Sequence, residues 1–200
     1  KPIDLKTREI LFHAGDNGSG CYFLRSGAVK ASVIAKDGQE RLLAVLGPGA
    51  LIGELSLFDD LPRSATVSAL RPSKLMHLTK SAFFQLADDN PAIYRQSLKL
   101  LTERLRGTND SVVAQGTVTV LGRVARAFEN LAHGIGEEDA NGRIVFAQKI
   151  TQTDIAGMAG VARENANRAI HELIHDGILT RVKGYYAIEK PKELAGLSEI

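Results

Sequence analysis

A single cysteine, Cys21, in 200 residues removes whole classes of protein at once. An intramolecular disulfide framework and a four-cysteine iron–sulfur or zinc site are both excluded, so the chain reads as cytosolic and Cys21 as a buried strand residue. Long apolar runs are missing too. None approaches the ~20 residues that span a bilayer, and the opening Lys1-Pro2-Ile3-Asp4 lacks the apolar segment of a secretory signal, so a soluble protein is expected, away from membranes. An excess of one sign of charge is missing: a net +2 announces no nucleic-acid binder, and any such function has to come from local arrangement. Histidine is thin in the first half, where His13 and His77 stand far apart with no His-x-His pair. That argues against a metal-dependent enzyme built on a barrel, and no catalytic or metal-ligating group is expected.

What the chain does have is punctuation. Gly15, Gly18, Gly20, Gly27, Gly38, Gly47, Gly49 and Gly53 separate short apolar and β-branched runs, which is the grammar of an all-β unit. Strands are expected over Cys21 to Arg25, Ala28 to Ala35, Arg41 to Leu46, Ala65 to Leu70 and Leu75 to Leu78, with Lys36-Asp37-Gly38-Gln39 turning one hairpin. A small jelly-roll barrel closes such a set. The pattern turns helical at Ser81, and Asp89-Asn90-Pro91 supplies a cap followed by proline at a first helical position.

From Pro91 to about Val120, Tyr94, Leu98, Leu101, Leu105, Thr108, Val112, Gln115 and Thr119 recur at alternating spacings of three and four, a coiled-coil seam. Such a stripe can pack on its own barrel, but one this long beside a small barrel is expected to pair with its twin in a homodimer. Thr108 is a polar seam residue with Asn109 beside it, and polar seam positions cost stability unless they set register or meet a ligand. A break is expected near Gly122, then a helix from Arg123 to Ala132, an exposed polar loop through Gly134-Ile135-Gly136 and Asn141-Gly142, and a short strand from Ile144 to Phe146.

Thr151-Gln152-Thr153-Asp154 has the form of a capping box ahead of a short apolar helix. Gly160-Val161-Ala162 supplies a tight turn, and Arg163 to about Asp176 buries Ala166, Ala169, Ile170, Leu173 and Ile174 at helical spacing, giving helix-turn-helix geometry. The opposite face carries Arg163, Glu164, Asn167, Arg168 and His171. In a major groove, arginine bonds guanine bidentately and glutamate accepts from cytosine N4. A hairpin from Ile178 to Ile188 turning at Lys183-Gly184 completes a winged unit, with Lys183 available to a phosphate.

The most informative stretch is Gly53-Glu54-Leu55-Ser56-Leu57-Phe58-Asp59-Asp60-Leu61-Pro62-Arg63-Ser64-Ala65-Thr66. It combines a carboxylate that can grip ribose hydroxyls with an arginine fork that can grip a phosphate, and Ser64 adds a hydroxyl donor. Gly53 permits close backbone approach, and a helical turn from Ser56 to Asp60 can face N–H groups to an anion. Spacing alone also suits a turn between strands closed by a Glu54–Arg63 salt bridge.

The run resembles the phosphate-binding cassette of cyclic-nucleotide-binding domains. Together with the seam helix and the winged helix it resembles, over almost the whole chain, the cyclic AMP receptor protein and FNR family of bacterial transcription regulators. The resemblance implies an α+β architecture: a cyclic-nucleotide-binding jelly-roll over 1–90, a dimerisation helix and hinge over 91–121, and a winged helix-turn-helix over 122–200. It assigns Gly53, Glu54, Leu55, Arg63 and Ser64 to the nucleotide, with Glu54 on the ribose 2′-hydroxyl and Arg63 and Ser64 on the cyclic phosphate. Thr108 and Asn109 then meet adenine from both subunits. Arg163, Glu164 and Arg168 match the triad that reads a TGTGA-like half-site, with Thr151, Gln152, Thr153, Asn167 and Lys183 also facing DNA. Where the family often has a serine N-cap this chain has Ala162, a loss of about 1 kcal/mol.

The cluster-binding FNR branch needs more cysteines than one. A haem-sensing role for His77 is less economical than a structural one, and relatives that need no small ligand usually lack an intact cassette. Cyclic AMP is therefore the expected effector, with cyclic GMP or dual use open and a different effector or none as the runner-up. Double-stranded DNA and RNA polymerase are the implied partners, and ligand-driven population shift near Thr119 to Gly122 the implied mechanism. On this reading Arg63 is a surface-facing cation whose loss the barrel tolerates.

Overall fold

Two long strands, where the glycine punctuation predicts four short ones, form the spine of the N-terminal half. The computed structural model describes residues 1–35, 38 and 40–198, and over 110–117 the backbone alone. Strands β1 (Pro2–Leu5) and β2 (Ile10–Phe12) lead into β3 (Gly20–Ile34), β4 (Glu40–Leu46) and β5 (Leu51–Ile52). A helical turn α1 (Leu55–Phe58), strand β6 (Thr66–Thr79) and helices α2 (Lys80–Asp89) and α3 (Ala92–Thr117) follow. In the sheet β6 lies between β1 and β3, β4 flanks β3, β2 pairs with β6 and β5 with β3, all antiparallel.

Strand β3 continues through Ser26-Gly27 and β6 through Pro72 because the β3–β6 register shifts there, so that residues unfit for a regular ladder sit in bulges. Gly27 takes φ +100°, and a Cβ on it would fall 2.2 Å from Ser73 Oγ. That hydroxyl stitches the bulge: it accepts from the Ala28 N–H at 3.1 Å and donates to the Arg71 carbonyl at 2.8 Å. Of the expected hairpin turn, Lys36, Asp37 and Gln39 lie outside the described residues. Leu5, Phe12, Leu24, Val29, Ile52, Val67, Ala69 and Leu75 fill the barrel.

Helix α2 starts one residue before its expected first residue, with Thr79 accepting from the Ala82 N–H as cap. On α3 the seam residues Leu98 and Leu105 are 61 % and 60 % exposed, leaving an apolar stripe uncovered. The side chains of Val112 and Gln115 lie outside the described set. Thr119 is not a seam residue: it caps α4 (Val120–Ile135), its Oγ1 accepting from the Gly122 N–H at 3.1 Å. The break therefore precedes Gly122, which lies buried inside α4 with the Leu197 carbonyl 2.7 Å from where a Cβ would be.

Helix α4 also runs through Gly134 to a buried Ile135, where a polar loop is expected, and β7 (Gly136–Glu138) pairs directly with β8 (Ile144–Phe146). Helix α5 (Gln152–Ala159), helix α6 (Arg163–His175), β9 (Leu179–Val182) and β10 (Tyr185–Ile188) complete the winged unit in the sheet order β7-β8-β10-β9. Both halves of the Thr151–Asp154 capping box form, and Gly160 turns the chain at φ +62°. The last helix, α7 (Pro191–Ser198), packs on α4, where Arg126 donates to the Ser198 carbonyl at 2.7 Å. No helix among the described residues is long and apolar enough to cross a membrane.

Phe128 is fully buried, its ring 5.2 Å from Tyr186 and 6.5 Å from Phe146, at the junction of α4 with the wing. Phe128→Ala is expected to lower the unfolding free energy by about 3–5 kcal/mol in urea titration.

Candidate nucleotide site and DNA interface

Arg63 organises the first site, and it is buried, not surface-facing as expected. At 5 % exposure its guanidinium donates through Nη1 to the Gly53 carbonyl at 2.5 Å and Ser56 Oγ at 2.7 Å, and through Nη2 to the Gly20 carbonyl at 2.8 Å. Its Cζ stands 4.4 Å from the Phe12 ring centroid and 5.6 Å from that of Tyr22. Among the described residues no carboxylate pairs with it and its Nε–H has no acceptor. A cation taken out of water with only neutral acceptors is stabilised further by an anion.

Gly53 is required at its position. Its φ is +72°, and a Cβ would come within 2.3 Å of Arg63 Nη1. A Cβ on Gly18 would likewise strike Ser56 Oγ at 2.2 Å. The α1 turn is shorter than Ser56 to Asp60, and Leu55 at its start is exposed. Ser64 is exposed and its hydroxyl makes no hydrogen bond among the described residues.

The alternative Glu54–Arg63 salt bridge does not form. Glu54, 3 % exposed, pairs through Oε1 with Arg104 of α3, whose Nη2 also donates to the Leu51 carbonyl at 2.7 Å. Oε2 of Glu54 accepts nothing among the described residues. Arg104 was not singled out in the sequence, although it precedes Thr108 by one turn on the same helix face. Thr108 is exposed and donates to the Arg104 carbonyl at 3.0 Å, with exposed Asn109 beside it. Cys21 is close enough to feel both charges: burial pushes its thiol up to about 11, with Glu54 adding to the shift and Arg63 opposing it. His77 is held below its ordinary range by burial, then by the N-terminal amine and Arg63, and its ring lies 4.9 Å from Tyr22.

The second site is the exposed edge of the winged unit. Arg163, Glu164 and Arg168 are solvent-exposed on α6, and Arg168 is held by Asn165. Asn167 is bonded to Gln152 of α5, which fixes the two helices against each other. Ala162 occupies the N-cap of α6 without a side-chain bond, as expected. Lys183 and Gly184, at φ +52° and +90°, form the two-residue turn at the wing tip. A notch of about 250 Å³ opens between the start of α5 and the wing, lined by Lys149, Thr151, Gln152, Thr153, Arg163 and Arg181. Lys149 and Arg181 went unremarked because neither lies on a periodic face; they come together only when β9 folds back beside the loop before α5.

A β-barrel carrying a buried arginine and carboxylate, joined by a long helix to a winged helix-turn-helix, is the architecture of a DNA-binding regulator rather than of an enzyme. Residues 2–90 match the cyclic nucleotide-binding domain and residues 122–197 the Crp-like helix-turn-helix domain. A CRP-like cAMP-activated global transcriptional regulator of Mycobacterium tuberculosis is 33 % identical over 88 % of this chain and 79 % of its own length. The cyclic AMP receptor protein of Thermus thermophilus is 32 % identical over 95 % of this chain and 83 % of its own. In fold, FixK2 from Bradyrhizobium japonicum superposes with a TM-score of 0.84, covering 100 % of this chain and 98 % of that one at 18 % identity. The chain belongs to the CRP/FNR family of transcription regulators.

Removing the Arg104 charge strands Glu54. Arg104→Met is expected to cost about 1–3 kcal/mol of unfolding free energy in urea titration, less than a fully buried pair would, because the arginine remains partly solvated.

Proposed function

We propose that this chain is a cyclic-AMP-dependent homodimeric transcription regulator acting on a palindromic, TGTGA-like DNA site. The observation that carries the reading is Arg63: a buried guanidinium with no carboxylate partner among the described residues, beside a buried Glu54 that keeps one oxygen unengaged. In this reading Arg63 and Ser64 hold the cyclic phosphate and Glu54 accepts from the ribose 2′-hydroxyl, with the Gly53–Leu55 backbone closing over the sugar. The residues present suit that ligand, since the spare Arg63 Nε–H and the Ser64 hydroxyl are donors and the spare Glu54 oxygen is an acceptor.

Thr108 and Asn109 extend the site along α3, where the exposed Leu98 and Leu105 supply the seam to a second copy. Arg104 then links the two functions, because the side chain that neutralises Glu54 belongs to the dimer helix. In the DNA-binding half, Arg163, Glu164 and Arg168 read bases, while Thr151, Gln152, Thr153, Asn167 and Lys183, with Lys149 and Arg181, position the duplex through its phosphates. Two such units about 34 Å apart meet successive major grooves. RNA polymerase is the downstream partner in this scheme, and the functional boundaries fall at 90 and 121.

One observation favours a second reading, a family regulator with another effector or none. Arg63 already donates to Gly53, Ser56 and Gly20, and Glu54 is already paired, so the cassette is closed upon protein groups.

Calorimetric titration with cyclic AMP and cyclic GMP separates the two. Arg63→Leu is expected to abolish the cyclic AMP heat, with a thermal melt run alongside because the side chain packs inside the barrel. Ser64→Ala, at an exposed position, is expected to weaken binding roughly tenfold with the melt unchanged. Full affinity in both variants sinks the cyclic AMP assignment, and a mobility shift without any nucleotide favours the second reading. Independently, Glu164→Ala is expected to leave nucleotide binding intact and relax preference at one base by about 1–3 kcal/mol.

A further inference from the structure

Two glycines meet across the boundary between the barrel and the DNA-binding domain. A Cβ on Gly47, just after β4, would fall 2.1 Å from the Gly134 carbonyl oxygen, and a Cβ on Gly134, in the last turn of α4, would fall 2.4 Å from the Val45 carbonyl oxygen. Neither φ lies in the left-handed region, so the turn chemistry does not demand glycine at either place. In a helix, glycine is less favourable than alanine by about 1 kcal/mol, and Gly134 therefore has a packing reason: main chain touches main chain, with no side chain between.

The surroundings are built to match. Ala28, Leu42 and Val45 of the barrel are buried in one continuous core with Phe128, Leu131 and Ile155 of the DNA-binding domain. The β4 backbone also runs close beside α5, where the Glu40 carbonyl oxygen lies 3.4 Å from the place a Cβ on Gly157 would take, an ordinary contact distance. At the edge, Lys30 of β3 bridges Glu40 at 2.8 Å and Asp154 at 3.6 Å, and Asp154 is the same carboxylate that caps α5.

This seat is also joined stiffly to the cassette. Gly47 precedes Gly53 by a short segment pinned to β3 at each step: the Gly49 N–H donates to the Leu24 carbonyl at 2.8 Å, the Leu24 N–H to the Ala50 carbonyl at 2.9 Å, and Leu51 and Ile52 pair with Phe23 and Tyr22. We propose that the Gly47–Gly134 seat, with the Lys30–Asp154 bridge, is a docking interface that transmits the state of the cassette directly to α5 and α6, by a route separate from α3 and its junction with α4. The proposal rests on the barrel being the nucleotide-sensing half.

Gly134→Ala is the test, since alanine favours the helix itself and disturbs only the docking. DNA affinity is measured by fluorescence anisotropy on a TGTGA palindrome with and without cyclic AMP, and nucleotide affinity by calorimetry. The distribution of distances between spin labels at Lys74 and His175 is recorded on the same protein, Cys21 being too buried to take a label. The seat predicts unchanged nucleotide affinity, a broadened distance distribution, and a nucleotide effect on DNA binding, ordinarily about 5–150-fold, that falls severalfold, with whatever α3 transmits left in place. Lys30→Gln, which adds no bulk, should move the same readouts in the same direction by less, and it decides the matter if Gly134→Ala does not fold. A wild-type distance distribution or a wild-type nucleotide effect in the folded variants overturns the proposal. Should the parent protein show no nucleotide effect, it is the effector reading that has failed, and the distance distribution alone then judges the seat.

Discussion

A guanidinium removed from water dictates most of the barrel's local detail. Burying Arg63 without a carboxylate carries a desolvation penalty of several kcal/mol, offset only in part by carbonyl dipoles and an aromatic face. Each compensating group constrains the chain around it. Gly53, at φ +72°, offers its carbonyl with no Cβ in the way of the guanidinium; Ser56 is brought in by the α1 turn; Gly18 leaves room for both Ser56 and the guanidinium, and the Gly20 carbonyl accepts from its other arm. Glu54 is buried next door yet spends its charge on Arg104, which leaves the positive potential at Arg63 in place and anchors the long helix to the sheet.

The same economy holds at the other end of the molecule. Tyr186 is buried between the wing and α4, its phenol raised by burial and partly restored by Arg181, whose guanidinium lies over the ring at 5.2 Å. Arg181 therefore covers the ring of a core residue with its charged head while also lining the notch beside the start of α5.

Features with a local cause were legible in the sequence. The Thr151–Asp154 capping box, the apolar spacing of α6, the glycine turn at 160 and the Lys183-Gly184 hairpin each depend on residues a few positions apart, and each appears where the sequence places it. Features whose cause is a distant partner were not. Glycine was read as a chain break at Gly122 and as a loop at Gly134, because short-range reasoning treats glycine as punctuation; both sit inside α4, bare so that a remote carbonyl can approach. Strand lengths failed for a related reason, since Pro72 and Gly27 disrupt a ladder only if the register is rigid, and β3 and β6 slip past them together. In the nucleotide cassette the residue types could be picked out, but not that Glu54 would turn to Arg104, fifty positions away in sequence.

Part of the α6 face proposed to read DNA is restrained before any duplex arrives. Gln152 is bonded to Asn167 and Arg168 to Asn165, so long polar side chains that would otherwise sample many rotamers are already restrained. Ordering a free side chain on association costs about 0.5–1.5 kcal/mol, and restraint shared between asparagines and their neighbours removes part of that cost in advance. Under the proposed function the consequence is kinetic as well as energetic: where Arg168 and Asn167 meet DNA the surface is already set, and at those positions a wrong sequence is rejected without the protein first rearranging its own side chains.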